Sequence, residues 1–409
     1  MGTTVAVGVE EEFHVVDLAT RLLTARADEV IGRLPGGQFG SELHSCVVEA
    51  NSRPWGRLTD LAGDVTRLRR AATAAAQPLG LGIVAAGSVP LANPDTLSVT
   101  PVPRYQHMHG EYRMLVREHL ICALQVHVDV SGRDQAVAVA HRVMRWLPAL
   151  LALSASSPYW LGADTGYASY RTLIWRRWPT ARAMARFESA ADYDQIVADL
   201  VRSGVITDPG MIYYDVRPSA HLPTVELRIC DACPLVDDVI MLAGLFRALV
   251  IQESAAAAAC IPPSPVRPEL VEAATWRAAQ SGLEGSLVDP ETASPVPASQ
   301  LVRRMLADLR PTLQATGDWE LLTELTESAL ARGTSAARQR VACARGGLPG
   351  VVDALRAETV AAGPDDGRLR SAPAQDGGSA RPEVPLARAE APPADIGEPR
   401  PNANAENQA

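Results

Sequence analysis

The chain has 409 residues, 47% of them hydrophobic, with a formal charge of −9 at pH 7. That composition fits a globular protein with room for up to about three domains, and the acidic balance argues against nucleic-acid binding as its main task. There is no Lys, so all 38 basic residues are Arg. This excludes a Walker A loop, a protein-kinase strand lysine and a Schiff-base amine, and leaves Arg, His, backbone N–H groups and metal to handle any phosphate.

Gly8-Val9-Glu10-Glu11-Glu12-Phe13, with Val5-Ala6-Val7 before it and Val15-Val16 after it, reads as a strand. Side chains two apart on a strand share a face, so Glu10 and Glu12 point together and Glu11 points the other way. Two carboxylates side by side in an apolar setting repel each other and lose solvation unless a cation sits between them. The stretch is therefore either half of a divalent-metal site or a solvated acidic edge. Residues 24–33 form a short predicted helix. Glu42 to Glu49 ends in a strand, from which Glu49 can face Glu10 and Glu12. Leu58, Leu61, Val65 and Leu68 set the apolar stripe of a long helix over 57–77. A strand is expected over 81–88, a Pro-rich loop over 90–103 and a helix over 105–120.

In the next predicted strand, Cys122 to Val130, alternation puts Gln125, His127 and Asp129 on one face and Val126, Val128 and Val130 on the other. Such a face is either a site or simply the solvent side of an antiparallel strand. A helix follows over 134–153. The small and hydroxylated segment 162–171 then reads as a loop suited to close ligand approach, with Arg171 a candidate for binding a carboxylate or phosphate. After a helix over 191–203, the stretches 211–217 and 224–231 read as a hairpin. There Glu226 with Arg228, and Asp215 with Arg217, make either cross-strand ion pairs or a charged site. The rest is helical, over 236–259, 268–280, 299–313, 318–331 and 335–345. From about residue 361 the chain is Pro-, Gly- and Ala-rich and is expected to be a disordered tail, which leaves 1–360 as one catalytic domain.

No window approaches ~18 uninterrupted apolar residues, and the N-terminus lacks the layout of a signal peptide. The expectation is a cytoplasmic protein without a membrane partner. The cysteines at 46, 122, 230, 233, 260 and 343 are then expected to be reduced. Cys230-Asp231-Ala232-Cys233 has no second pair to complete a zinc site and is read as incidental. Taken together, the strands imply an α+β chain whose curved antiparallel sheet carries acids and guanidiniums on one face. Carboxylates in this number suit Mg²⁺ with bound phosphates better than Zn²⁺.

Several motifs in series resemble one family. Gly8 to Phe13, Ser154-Ala155-Ser156-Ser157-Pro158, Asp164 to Arg171, Asp215-Val216-Arg217-Pro218, Thr224 to Arg228 and Trp276-Arg277-Ala278-Ala279 look like the carboxylate-amine ligases of the second glutamate–cysteine ligase type. The resemblance runs from about residue 5 to 350. It implies a glutamine-synthetase-like fold with ATP over Mg²⁺ in a funnel of strands, and a reaction in which ATP phosphorylates the γ-carboxylate of glutamate before the cysteine amine displaces phosphate. By the same resemblance Glu10, Glu12, Glu49 and Glu226, with Glu42, are metal ligands. Arg217 and Arg228 stabilise the phosphoryl group, and Arg171 binds substrate. Many relatives have His-Val-His where this chain has Gln125-Val126-His127. Gln125 thus becomes a neutral contact to phosphate or metal, and His127 stays beside the nucleotide. The small-molecule partners implied are glutamate and cysteine or another amine, in a monomer or a homo-oligomer. A metal-dependent amide hydrolase and a non-catalytic binding protein are the other readings these residues allow.

Overall fold

The computed structural model describes residues 5–361. The tail expected past that point lies outside the described residues. The longest strand, β1 (Val7–Asp17), is the axis of a seven-stranded antiparallel sheet. The other six are β2 (Phe39–Ser41), β3 (Val47–Asn51), β4 (Leu81–Val84), β5 (Leu124–Asp129) and, after a separate two-stranded hairpin of β6 (Tyr159–Trp160) and β7 (Ala163–Asp164), β8 (Val216–Pro218) and β9 (Thr224–Leu227). Spatial order is β2-β3-β1-β5-β9-β8, with β4 on the far half of β1. A second small hairpin, β10 (Ser286–Asp289) with β11 (Ser294–Pro297), was not expected from a stretch read as helical.

Alternation along the strands sorts the two faces. Val7, Val9, Leu124, Val126, Val128, Val225 and Leu227 enter one large apolar core, and Phe13, Val15, Val48 and Ala50 a second. The helices Leu58–Ala76 and Val236–Ala258 pack on this back face. Gly244 lets them meet closely, because a Cβ there would lie 2.7 Å from Leu58 and from Leu322. Two helical stretches, 133–154 and 236–258, are long and apolar enough to cross a membrane, but 78% and 72% of their apolar windows are buried inside the protein. Burial of this kind marks core helices.

Glu11 is the one β1 carboxylate aimed into the back face. It is 3% exposed and meets Arg69, itself 2% exposed, at 2.6 Å. The same guanidinium donates to the carbonyls of Cys233, Pro234 and Thr359. One side chain therefore ties β1 to the turn before the core helix and to the C-terminal end of the helix Ser335–Val360.

Other expectations shift in detail. Arg113 takes a left-handed backbone (φ 49°) and splits the helix expected over 105–120 into Pro103–Tyr112 and Met114–Arg117. The stretch read as a loop over 162–171 instead holds β7, which pairs with β6 just before it, and starts the helix Tyr170–Trp175. The strand expected from 211 begins only at Val216. Asp215 consequently leaves the sheet face and pairs with Arg176 at 2.6 Å.

Removing one partner of a buried ion pair strands the other charge. Arg69→Met is expected to cost about 3–5 kcal/mol, read from the urea midpoint at constant m-value. A Glu11→Leu/Arg69→Met double variant should lose much less than the sum of the two single changes.

Candidate active site

The front face follows from register. Glu12 sits opposite Glu49 across β1–β3, Glu10 opposite Gln125 across β1–β5, His127 opposite Glu226 across β5–β9, and Glu226 opposite Arg217 across β9–β8. Alternation had grouped Glu10 with Glu12 and Gln125 with His127; the register brings these groups to Glu49, Glu226 and Arg217. Glu42 joins them from the segment between β2 and β3, so that carboxylate oxygens of Glu12, Glu42 and Glu49 all lie within 4.8 Å of one another.

The trio is under electrostatic stress. Burial, followed by the Glu42 charge, pushes the Glu12 carboxyl up to about 8. Glu49 is also raised well above the usual carboxylate range, by burial and then by Glu42 and Glu10. Protein donors meet only part of this negative charge. The Ala123 N–H and the Gln125 side-chain amide donate to Glu12 at 2.7 and 3.2 Å, and Asn51 donates to Glu49 at 2.8 Å. An all-oxygen set of this kind fits a hard divalent cation such as Mg²⁺, which Glu12, Glu42 and Glu49 would hold. The lone Cys230/Cys233 pair takes no part, since both thiols are buried and free.

Next to the trio runs a ladder of alternating charge. Arg217 donates to Glu226 at 2.8 and 3.3 Å, and its remaining terminal nitrogen donates to the carbonyls of Gly210 and Ile212. Arg228 donates to Glu226 from the other side and to the Gln125 side-chain oxygen. Burial opposes ionisation of Glu226, but Arg217, Arg228 and His127 together hold its carboxyl well below the usual range. Trp175 and Tyr213 flank the Arg228 guanidinium at 5.6 and 5.9 Å. Its Nε is buried with no partner among the described residues. His127 bridges Glu10 at 3.1 Å and the Thr224 hydroxyl at 3.0 Å. Burial disfavours its protonation, yet Glu10 raises it above the ordinary imidazole value.

Four of the expected residues have protein partners here: Glu10 pairs with His127, Arg217 with Glu226, and Glu226 and Arg171 are engaged as well. Glu226 stands apart from the carboxylate trio, and both its oxygens are engaged by guanidiniums; it is the hinge of the ladder. Arg171 is 2% exposed, lies over the Trp175 ring at 5.7 Å as Arg228 does, and spends its terminal nitrogens on backbone. Its two terminal nitrogens donate to the carbonyls of Ile229 and Arg228, each at 3.1 Å, and its charge lies 3.7 Å from Asp231. Asp231, Trp175, Tyr213 and Thr224 were missed as site-building residues. For Asp231 a signal existed, since a carboxylate inside the apolar run Ile229 to Cys233 must find a partner.

The result is an α+β arrangement, an antiparallel sheet with helices on its back and a carboxylate trio beside a guanidinium ladder on its front. The glutamate–cysteine ligase of Francisella tularensis, solved in complex with AMP, superposes with a TM-score of 0.68 at 12% identity, over 91% of this chain and 90% of that one. A bifunctional glutathione synthetase from Pasteurella multocida gives 0.64 at 14% identity, over 87% of this chain and 52% of that one. The glutamate–cysteine ligase family 2 model matches residues 6–362, and the chain belongs to that family. A Mycolicibacterium smegmatis relative, provisionally named glutamate–cysteine ligase 2-2, is 51% identical over 86% of this chain and 89% of its own length. A Frankia alni relative, provisionally named glutamate–cysteine ligase 2-3, is 57% identical over 90% of this chain. This chain spans only 43% of that relative's length.

The raised carboxyls set the pH response. The folded chain keeps protons on Glu12 and Glu49 that the unfolded chain releases above about 4.5, so this stabilisation is complete below that value and is lost as pH climbs through the raised values, about 8 for Glu12. A divalent cation bound there would replace those protons. The Tm gain on adding Mg²⁺ is therefore expected to be small near about pH 5.5 and larger near about pH 8. Glu12→Gln/Glu49→Gln should abolish the gain, as measured by scanning calorimetry at matched ionic strength.

Proposed function

We propose that the protein is an ATP-dependent ligase that joins the γ-carboxylate of glutamate to an amine, with cysteine the default acceptor. The observation that carries this reading is the adjacency, on one sheet face, of a cation-binding carboxylate trio and the Arg228 guanidinium. Family membership supports it, and so does the AMP held by the Francisella tularensis ligase of the same fold. A cation on Glu12, Glu42 and Glu49 would supply charge neutralisation for bound phosphates.

In the reaction, the glutamate γ-carboxylate takes the terminal phosphoryl group of ATP and ADP departs. The amine then attacks the acyl carbon, phosphate leaves with the bonding electrons, and the amine gives up a proton. An acyl phosphate is already a strong electrophile. The protein's share is thus orientation and charge stabilisation rather than a nucleophile of its own. Arg228 is suited to the transferred group because its guanidinium is fixed by Glu226, Gln125 and two aromatic rings. Arg217 is spent on Glu226 and two carbonyls, so it acts by holding Glu226. Glu10 orients His127 beside the nucleotide, and Gln125 links the trio to Arg228 as a neutral spacer. Arg171 serves this site from behind by fixing the backbone of Arg228. The six free cysteines fit a reducing, cytoplasmic setting.

ADP release from ATP, Mg²⁺ and glutamate against a panel of amines tests the reading. Amine-dependent release is expected, lowered roughly 10²–10³-fold in kcat by Arg228→Ala and abolished by Glu12→Gln/Glu49→Gln. Hydrolysis of an amide without ATP would replace the ligase with a metal-dependent hydrolase. ATP binding with no turnover for any amine would leave a binding protein.

A further inference from the structure

Asp231 is fully buried and sits where four separate segments meet. Its Oδ2 accepts from the Ser156 backbone N–H at 2.9 Å and from the Ser157 hydroxyl at 2.7 Å. Its Oδ1 accepts from the Ser169 hydroxyl at 2.8 Å and faces the Arg171 guanidinium at 3.7 Å. The space for this carboxylate is made by Gly87, where a Cβ would fall 2.6 Å from it. No other residue type at 87 leaves that room.

Each hydroxyl that serves Asp231 also grips the start of the helix Tyr170–Trp175. Ser157 Oγ accepts from the Arg171 backbone N–H at 3.0 Å, and Ser169 is the helix N-cap, accepting from Thr172. The helix is thereby held at an angle that delivers Arg171 to the carbonyls of Arg228 and Ile229. Arg228 is the residue whose guanidinium spans Glu226 and Gln125 on the front face. The path from Asp231 to the reacting face is continuous and polar: Asp231, Ser157 and Ser169, Arg171, then the backbone of Arg228.

We propose that Asp231 is a positioning residue for Arg228, acting through Arg171 and the two serines, although it touches no substrate. Two of the motifs that resemble the family, Ser154 to Pro158 and Asp164 to Arg171, then frame this carboxylate. The kinetic part of the test rests on the ligase reading; the structural part does not.

The variants are Asp231→Asn and, as a milder change to the same path, Ser157→Ala. Amide exchange by mass spectrometry is expected to rise over residues 225–232 and 169–175, with helices 298–316 and 319–332 unchanged. In ADP release, kcat should fall about 10²-fold for Asp231→Asn and about tenfold for Ser157→Ala, while KM for ATP stays within about twofold. Leu309→Ala, a cavity in the remote helix Ala298–Thr316, lowers Tm and should leave kcat unchanged. If exchange at 225–232 does not move, or rises equally everywhere, the proposal is overturned. It is also overturned if kcat falls only as far as it does in Leu309→Ala at the same loss of Tm. Should Asp231→Asn fail to fold, Ser157→Ala decides by the same readouts. A wild-type enzyme that releases no ADP with any amine sinks the ligase reading, and the exchange pattern alone then decides the role of Asp231.

Discussion

The rest of the structure hangs on the buried contact between Glu11 and Arg69. β1 carries three consecutive glutamates, and a strand must send one of them to the opposite face from the other two. Left alone in the apolar back face, Glu11 would carry a desolvation penalty of several kcal/mol. Arg69 supplies the charge at 2.6 Å and spends its other donors on carbonyls from two distant segments. The pair therefore does more than offset a penalty. It fixes which face of β1 looks outward, and with it the position of Glu10 and Glu12.

On the outward face the electrostatic problem is inverted. Glu12, Glu42 and Glu49 converge with too few donors, while Glu226, two strands from β1, has two guanidiniums. An uneven distribution of this kind is what phosphoryl transfer requires, with a place for a cation next to fixed positive charge. Gln125 sits between the two regions, donating to Glu12 and accepting from Arg228. A neutral amide can do both at once, since it carries a donor and an acceptor. Gln125 is thus the joint between the acidic and basic halves.

Behind the sheet, hydroxyl-rich segments gather on Asp231 and brace the strand end that bears Arg228. The site accordingly has two supports of different chemistry. An ion pair under β1 holds the carboxylates, and a hydrogen-bonded carboxylate under β9 holds the guanidinium. Buried polar networks of this sort are costly when incomplete and rigid when satisfied. That rigidity suits a reaction in which the protein's contribution is orientation.

Period-two alternation in Val7 to Val16, Leu124 to Val130 and Thr224 to Arg228 was enough to decide which side chains share a face, because the strand period leaves no freedom once one face is apolar. Within each strand it grouped Glu10 with Glu12, Gln125 with His127 and Glu226 with Arg228; the register is what sets Glu10, Glu12, Gln125, His127 and Glu226 beside Glu49 and Arg217. The lengths of most helices were legible for the same reason. Tertiary structure alone decided what each charge does. Whether Glu226 faces a cation or two arginines depends on β8 and on where Arg228 points, and neither is encoded in local spacing. Arg171 belongs to the interior because the carbonyls of Arg228 and Ile229, 57 and 58 residues away, come to meet it. Asp231 is a hub because four segments happen to close around it. A periodicity reports which way a side chain points; only the packed chain reports what is waiting there.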